Sequence, residues 1–261
     1  HEPDNAAYQT DLAESARTYS GALLADGSRD PKLLDLCQEA VSLLEQLVKS
    51  NPENAEMLYK LAFSQTNLSK VRSDLRQGSG IEPLEQAITT FLKLIELRPH
   101  EPRDRMQLTR AYDQLALLQF QLGQDEAWEQ TLRDAHRSME AAREQFGDDV
   151  RIIQFLTISQ NRLAHCLKQR GLIDEAIELF EIALQRRHQE LAANPDNQHV
   201  LREIASANRN LAWAYGLFAD PQNLDLALEY AQAAMETDPT AAENRMVLAY
   251  IHYVYGNWDQ L

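Results

Sequence analysis

The chain has 261 residues, of which 44% are hydrophobic, 25% charged and 7% aromatic, with nine glycines and nine prolines. This composition supplies enough apolar side chains for a sizeable core, and it contains too few turn residues for an all-β fold. The formal net charge of −15 argues against a surface for nucleic acid or for an anionic membrane, because either would need a net basic face.

A repeat of about 48 residues runs along the chain. Helix-breaking residues recur at intervals of 47, 48, 48 and 44 residues. They are Pro52, Pro99, Gly147, Pro195 and Pro239. A leucine lies at the same distance after each of the first four points and is followed by a small residue. These leucines are Leu68, Leu115, Leu163 and Leu211.

Each repeat also contains a second apolar run. An alanine or tryptophan starts this run, and further apolar residues follow four and seven positions later. Steps of three and four place such residues on one face of a helix. Each full repeat is therefore predicted to contain two helices. The residues that start the runs are Ala40, Ala87, Trp128, Ala176 and Ala227.

The pattern resembles the tetratricopeptide repeat (TPR) family. The unit that matches best contains Leu163-Ala164, Gly171, Ala176, Phe180, Ala183 and Pro195. The longer period is explained if both helices gain seven residues, since two helical turns leave the buried face in place. The resemblance implies an all-α TPR superhelix (α-solenoid) of antiparallel helix pairs, with about five and a half repeats and roughly eleven helices.

We expect a single solenoid over residues 1–261. Asn51-Pro52, Asn194-Pro195 and Asp238-Pro239 are predicted to start helices, with a capping side chain before a proline at the first helical position. The chain begins at His1 and stops inside a repeat, so we expect it to be part of a longer protein. The predicted repeats are 4–51, 52–98, 99–146, 147–194 and 195–238, with a partial repeat at 239–261.

A closer resemblance is carried by the unit from Gly171 to Phe218, which reads GLIDEAIELFEIALQRRHQELAANPDNQHVLREIASANRNLAWAYGLF. It is similar to the long TPR arrays beyond the catalytic domain of some bacterial eukaryotic-like Ser/Thr protein kinases. The resemblance implies a bacterial protein and a regulatory or scaffold role in a larger chain. No kinase motif occurs in these 261 residues.

The sequence contains no catalytic constellation, since zinc-hydrolase, Cys-x-x-Cys, nucleophile-elbow and P-loop motifs are all missing. We therefore expect no enzyme activity, no metal and no cofactor. Cys37 and Cys166 lie several repeats apart and are predicted to be buried thiols without a disulfide. No apolar run is long enough to span a membrane, and we expect a cytoplasmic location.

The TPR resemblance implies that the first helix of each pair lines a concave groove. Cations and amides recur at the lining positions, which favours an acidic peptide as partner because arginine is a bidentate donor to carboxylates. The same cations could instead balance acids on neighbouring helices. The candidate peptide-binding residues are Arg110, Gln114, Phe120, Asn161, Arg162, His165, Lys168, Arg209, Asn210 and Trp213.

We predict a non-catalytic protein-interaction scaffold that holds an extended segment of a partner. The carboxylate clamp of chaperone-binding TPR proteins is not matched, because Thr66, Lys70 and Ile158 occupy three of its positions. Two alternatives are a dimerisation module and a peptide-responsive sensor. Apolar residues continue to the C-terminal end without a helix to cover them, so we expect either further repeats or pairing with another copy there. These residues are Leu248, Tyr250, Ile251, Val254, Tyr255, Trp258 and Leu261.

Overall fold

The computed structural model describes residues 6–26, 30, 32–76, 78–218 and 223–256. These residues form eleven α-helices and no β-strand, so the predicted all-α fold is confirmed. The helices are α1 (Ala6–Ala25), α2 (Lys32–Ser50), α3 (Ala55–Asp74), α4 (Ile81–Leu97), α5 (Pro102–Gln121), α6 (Asp125–Phe146), α7 (Val150–Gln169), α8 (Ile173–Ala193), α9 (Gln198–Trp213), α10 (Leu224–Thr237) and α11 (Ala242–Tyr255), and a π-helical segment, Ala214–Phe218, follows α9.

Odd-numbered and even-numbered helices alternate as the two members of a pair, and we call them A helices and B helices. Leu163, the leucine of the best-matched unit, is 2% exposed in α7, as the repeat pattern predicts. The small residues of the B helices are also buried, since Ala87, Ala176 and Ala227 are fully covered. A small side chain at these positions lets two helix backbones approach each other closely and pack at the density of a protein interior.

Three helices begin later than the sequence predicts. α3 starts at Ala55 rather than Pro52, α9 starts at Gln198 rather than Pro195, and α11 starts at Ala242 rather than Pro239. In the first two cases the backbone N–H of the residue before the helix donates to the carbonyl of Asn51 or Asn194, at 3.2 Å. The proline therefore occupies the second position of a turn, where its fixed φ is equally well accommodated.

In the first two motifs the capping side chain consequently comes from a second asparagine, three residues after the first. The Asn54 side chain accepts from the Met57 N–H at 3.1 Å. The Asn197 side chain accepts from the His199 and Val200 N–H groups at 3.1 and 3.3 Å. Each bond satisfies a backbone donor that the first helical turn leaves without a partner.

The loop between α3 and α4 passes close to α3 at Gly80. A Cβ atom added there would lie 2.5 Å from the Ser73 hydroxyl and 2.8 Å from the Ser69 carbonyl oxygen. The φ of Gly80 is −79°, so space and not backbone conformation excludes a side chain. Glycine allows this loop to lie directly on the helix.

The chain divides into two compact units, residues 1–155 and 156–261. Part of the core of unit 1 is formed by one cluster between α2 and α3 and a second cluster among α3, α4 and α5. A cluster of α9, α10 and α11 forms part of the core of unit 2. Both cysteines are buried thiols that form no disulfide with each other. The single solenoid and its repeat boundaries remain predictions.

Candidate functional site

Two adjoining cavities lie between the A helices α3 and α5 of unit 1. The first has a volume of about 240 Å³ and the second about 370 Å³, and Lys70 and Gln114 line both. The first cavity is lined by Phe63, Thr66, Asn67, Lys70, Phe91, Gln107, Arg110, Ala111 and Gln114. The second is lined by Ser69, Lys70, Ser73, Asp74, Leu84, Gln114, Leu117, Leu118 and Gln121.

Positive charge dominates the first cavity. Lys70 and Arg110 line it and no carboxylate does, whereas the second cavity has one acid, Asp74. The guanidinium of Arg110 lies over the Phe155 ring at 5.1 Å from its centroid and donates to Gln107 at 3.4 Å. Both interactions leave the charge of the arginine unneutralised, since neither partner is an anion.

Of the candidate residues of unit 1, Arg110 and Gln114 come together in this cavity, and Phe120 lies apart from it. The Phe120 ring packs against Trp128, with ring centroids 4.8 Å apart, and remains 46% exposed. Gln107 was not among the candidates, although it lies three and seven residues before Arg110 and Gln114. That spacing places all three on one face of α5 and could have identified it.

In unit 2, two candidate residues on α7 contact the Phe180 ring of α8, and a candidate residue on α9 contacts one of these two. The His165 ring meets Phe180 edge-on, with centroids 5.2 Å apart. The Lys168 ammonium lies 5.9 Å from the Phe180 centroid. The Asn210 side-chain nitrogen is 3.2 Å from His165 Nε2, so its amide can donate to the ring.

The environment keeps His165 neutral. Burial, followed by the positive charges of Lys168 and Arg209, lowers the pKa of His165 to about 4. Burial and Arg209 also lower the pKa of Lys168. Both directions are those expected when a cationic form is desolvated beside like charge.

Arg209 is held in place by neutral groups. Its two terminal nitrogens donate to the side-chain oxygen (Oδ1) of Asn244 at 3.0 Å and to the Ser206 hydroxyl at 3.1 Å. Asn244 is fully buried, and its own amide donates to backbone carbonyls at Ala234 and Asp238. A chain of hydrogen bonds thus orients the guanidinium without adding a negative charge.

The remaining candidates of unit 2 differ in their surroundings. The Trp213 ring packs against Tyr250, with centroids 5.0 Å apart, and both side chains are half-buried. Asn161 is half-buried, and its side-chain oxygen makes no hydrogen bond to a described residue. Arg162 is exposed on α7.

Among the residues placed by the structure, no group of three or more histidine, cysteine, aspartate or glutamate side chains could hold a metal ion. None of the helices, within the same described residues, combines the length and the apolar character needed to cross a membrane.

No protein-family model and no curated protein sequence matches the chain. Its backbone is similar to BtubC (BKLC) from P. vanneervenii, with a TM-score of 0.55 and 16% identity over 87% of this chain and 84% of BtubC. YrrB, a TPR protein with an unusual peptide-binding site, gives a TM-score of 0.43 and 15% identity over 88% and 89% of the two chains. TTC0263, a thermophilic TPR protein in Thermus thermophilus, gives a TM-score of 0.37 and 20% identity over 92% and 98% of the two chains.

The fold of this chain is TPR-like, an all-α arrangement of helices packed in pairs. The predicted resemblance to the TPR fold is confirmed at that level. The similarity to kinase-linked arrays remains a prediction.

Proposed function

We propose that this chain is a non-catalytic protein-interaction scaffold, and that the α3–α5 face of unit 1 binds an extended acidic segment of a partner protein. The observation that carries the proposal is the first cavity, in which Lys70 and Arg110 are accompanied by no acid although the whole chain has a net charge of −15. In so acidic a protein, a cationic cavity without acids favours an anionic ligand through charge complementarity.

The size of the cavities suits a short stretch of extended chain. Their lining on α3 runs from Phe63 to Asp74, which corresponds to about 16 Å at 1.5 Å per residue. An extended chain advances about 3.3 Å per residue, so about five residues would fit along this length. Asn67, Gln107 and Gln114 offer amide donors and acceptors, which are the groups that an extended backbone needs as partners.

Reversal of both cavity charges tests the proposal. The probe is a fluorescein-labelled peptide of alternating glutamate and alanine with capped ends, and binding is measured by fluorescence anisotropy. We expect K70E/R110E to weaken binding at least about tenfold, because two attractive charges become repulsive. The melting temperature should change little, since both side chains are exposed.

The control is K49E/K93E, which makes the same change in net charge at two exposed lysines that line neither cavity. It should retain most of the affinity. An equal loss in both double variants would show that net charge alone drives binding, and the proposed site would then be wrong.

A second candidate function is self-association through the C-terminal end. On α11, Met246 and Val254 are 57% and 40% exposed, whereas Val247 and Ile251 are buried in the core of unit 2. An A helix with apolar side chains on its outer surface could be covered by a second copy of the chain. The predicted turn at Gly256 closes α11 with a φ of +74°, and Trp258 and Leu261 lie outside the described residues.

The 48-residue repeats also lead us to propose that the chain is the regulatory or scaffold part of a larger protein, such as a bacterial Ser/Thr kinase. In that setting, the occupied groove could act as a peptide-responsive sensor. The proposed partner would still be recognised by the same cationic A-helix face.

A further inference from the structure

One carboxylate and two tyrosine side chains form a cluster in unit 2 that involves the B helices α8 and α10. The Tyr215 hydroxyl, in the π-helical segment after α9, donates to the Glu181 carboxylate of α8 at 2.8 Å. The Tyr215 ring is parallel to the Tyr230 ring of α10, with an interplanar angle of 4° and centroids 5.8 Å apart. We call these three residues the tyrosine–carboxylate cluster.

The cluster carries negative charge without a cation to balance it. Glu181 is exposed and, among the residues that the structure describes, no basic side chain lies at ion-pairing distance from it. Burial, followed by Glu181, raises the pKa of Tyr215, and burial, Glu181 and Glu229 raise the pKa of Tyr230. Both tyrosines therefore stay protonated and neutral, so that the negative charge of the cluster remains on the carboxylate.

Unit 1 shows a cation in a comparable setting. A cavity of about 210 Å³ lies between the B helices α2 and α4, and Arg72 of α3 is part of its lining. Two carboxylates, Glu45 and Glu82, line the same cavity, and the Arg72 guanidinium lies 3.4 Å from Glu82. The space between neighbouring B helices of this chain can therefore accommodate a guanidinium among carboxylates.

The repeat register relates the two settings. Arg72 and Tyr215 each lie four residues after the leucine of their repeat. Glu45 and Glu181 each lie five residues after the alanine that starts the apolar run of their B helix. Unit 2 thus keeps the carboxylate and has a tyrosine in place of the arginine. Its carboxylate lacks the cation that shares a cavity with the equivalent carboxylate of unit 1.

We propose that the tyrosine–carboxylate cluster binds an arginine side chain from a basic segment of a partner protein, at a surface separate from the α3–α5 face. A carboxylate has about four acceptor positions, so Glu181 can bond to both a tyrosine hydroxyl and the N–H edge of a guanidinium. The negative face of a tyrosine ring attracts the same cation. The net charge of −15 draws a basic segment towards the chain.

Arginine fits this cluster better than lysine. A guanidinium is planar, donates through parallel N–H groups and stacks on an aromatic ring, whereas an ammonium is a compact point charge. Leu226 lies one helical turn before Tyr230 on the same face of α10 and is 40% exposed. It offers apolar surface to the aliphatic stem of the arginine.

The test uses a fluorescein-labelled peptide of alternating arginine and alanine with capped ends, and binding to the full chain is measured by fluorescence anisotropy. E181Q removes the charge and keeps an oxygen that can accept from Tyr215. We expect it to weaken binding about tenfold, as for loss of one charge-assisted contact. The matched control is E236Q, which changes an exposed glutamate of α10 and should leave affinity within about twofold. Equal affinity of E181Q and wild type, or equal losses in E181Q and E236Q, would overturn the inference.

A second variant, Y215R, follows from the comparison with unit 1. It places an arginine at the position equivalent to Arg72, where its guanidinium can pair with Glu181 and occupy the site. E181Q, Y215R and E236Q all raise the net charge by one, so a larger loss of affinity in the first two identifies the cluster. Thermal unfolding shows whether each variant is folded, and E181Q decides alone if Y215R is not. A folded Y215R that binds the peptide as tightly as wild type would contradict the proposed site.

Two further peptides define the specificity. A capped lysine–alanine peptide of the same length should bind at least about threefold more weakly than the arginine peptide. Equal affinity, with the same dependence on Glu181, would overturn the choice of arginine. The glutamate–alanine peptide should bind E181Q as it binds wild type, and K70E/R110E should not weaken binding of the arginine peptide. The inference and the proposed function can therefore each fail without the other.

Discussion

At the scale of single residues, the described cations differ in whether a carboxylate lies close to them. Arg98 makes a two-point contact with the completely buried Asp104, at 2.9 and 3.1 Å, at the junction of α4 and α5. Lys168 and Arg209 have no such carboxylate among the residues that the structure describes. The first arrangement pairs opposite charges inside the fold, whereas the second leaves two positive charges beside neutral groups only.

His165 should make stability depend on pH. Its pKa is 6.5 in the unfolded chain and about 4 in the folded protein, because burial, Lys168 and Arg209 oppose protonation. Between these values the unfolded state binds more protons, so stability is lost as the pH falls from 6.5 to about 4. The loss amounts to about 3 kcal/mol of unfolding free energy.

Chemical denaturation of wild type and H165Q over this pH range measures the effect. The wild type should lose about 3 kcal/mol relative to H165Q as the pH falls. The control is Q169A, a change of an exposed neutral residue in the same helix, whose stability should run parallel to wild type. Parallel curves for H165Q and wild type would mean that His165 is protonated in the folded state as easily as in the unfolded state.

At the scale of secondary-structure elements, the turns before α3 and α9 share one construction. In both, a first asparagine accepts a backbone hydrogen bond that closes a turn around proline, and a second asparagine caps the helix. The helix therefore begins directly after the last asparagine of the motif Asn-Pro-x-Asn and not at the proline. The two asparagines have different roles. The first closes the turn through its backbone carbonyl, and the second caps the helix through its side chain.

This division predicts different costs for the two asparagines of the second motif. Asn197→Ala removes the cap of α9 and should reduce the free energy of unfolding by about 1 kcal/mol. Asn194→Ala leaves the backbone carbonyl in place and should cost less than about 0.5 kcal/mol. Urea denaturation of the two variants measures the difference. Equal losses, or a larger loss for N194A, would place the cap at Asn194 after all.

The end of α9 shows an element that depends on its neighbours. The last turn of α9 is followed by a π-helix over Ala214–Phe218, and a Cβ atom on Gly216 would clash with Ile251 Cδ1 of α11. A side chain at this position would therefore displace the end of the Ile251 side chain, and glycine avoids this displacement. π-helical segments are rare and depend on tertiary contacts for their stability.

At the scale of the whole molecule, self-association through α11 is open to a direct test. M246E/V254E places charge on two exposed apolar positions of the helix, so a dimer formed there should dissociate. Sedimentation velocity should show a smaller mass for the variant than for wild type at the same concentration. V150E alters an exposed valine of unit 1 and serves as control. A wild type that is monomeric throughout would remove this candidate function.

The repeat period by itself determined the class of the fold, the approximate number of helices and a set of buried positions on each helix. This was possible because a helix face recurs every three to four residues, so that local order specifies which side chains point inward. Leu163, Phe180 and Ala227 are buried as the pattern predicts. The TPR resemblance, and not the period, implied which positions of the A helices line a groove and therefore which cations belong to it.

Only the tertiary structure decided which of those cations lack a counter-charge. Asn210 meets His165 across 45 positions in the chain, and Arg209 meets Asn244 across 35. Such contacts depend on how neighbouring helices cross. The repeat period within one helix contains no information about that crossing. Electrostatic interactions weaken with distance and strengthen with burial. The distinction between a cation that balances a neighbouring acid and one that has only neutral partners is therefore decided only when the helices are packed.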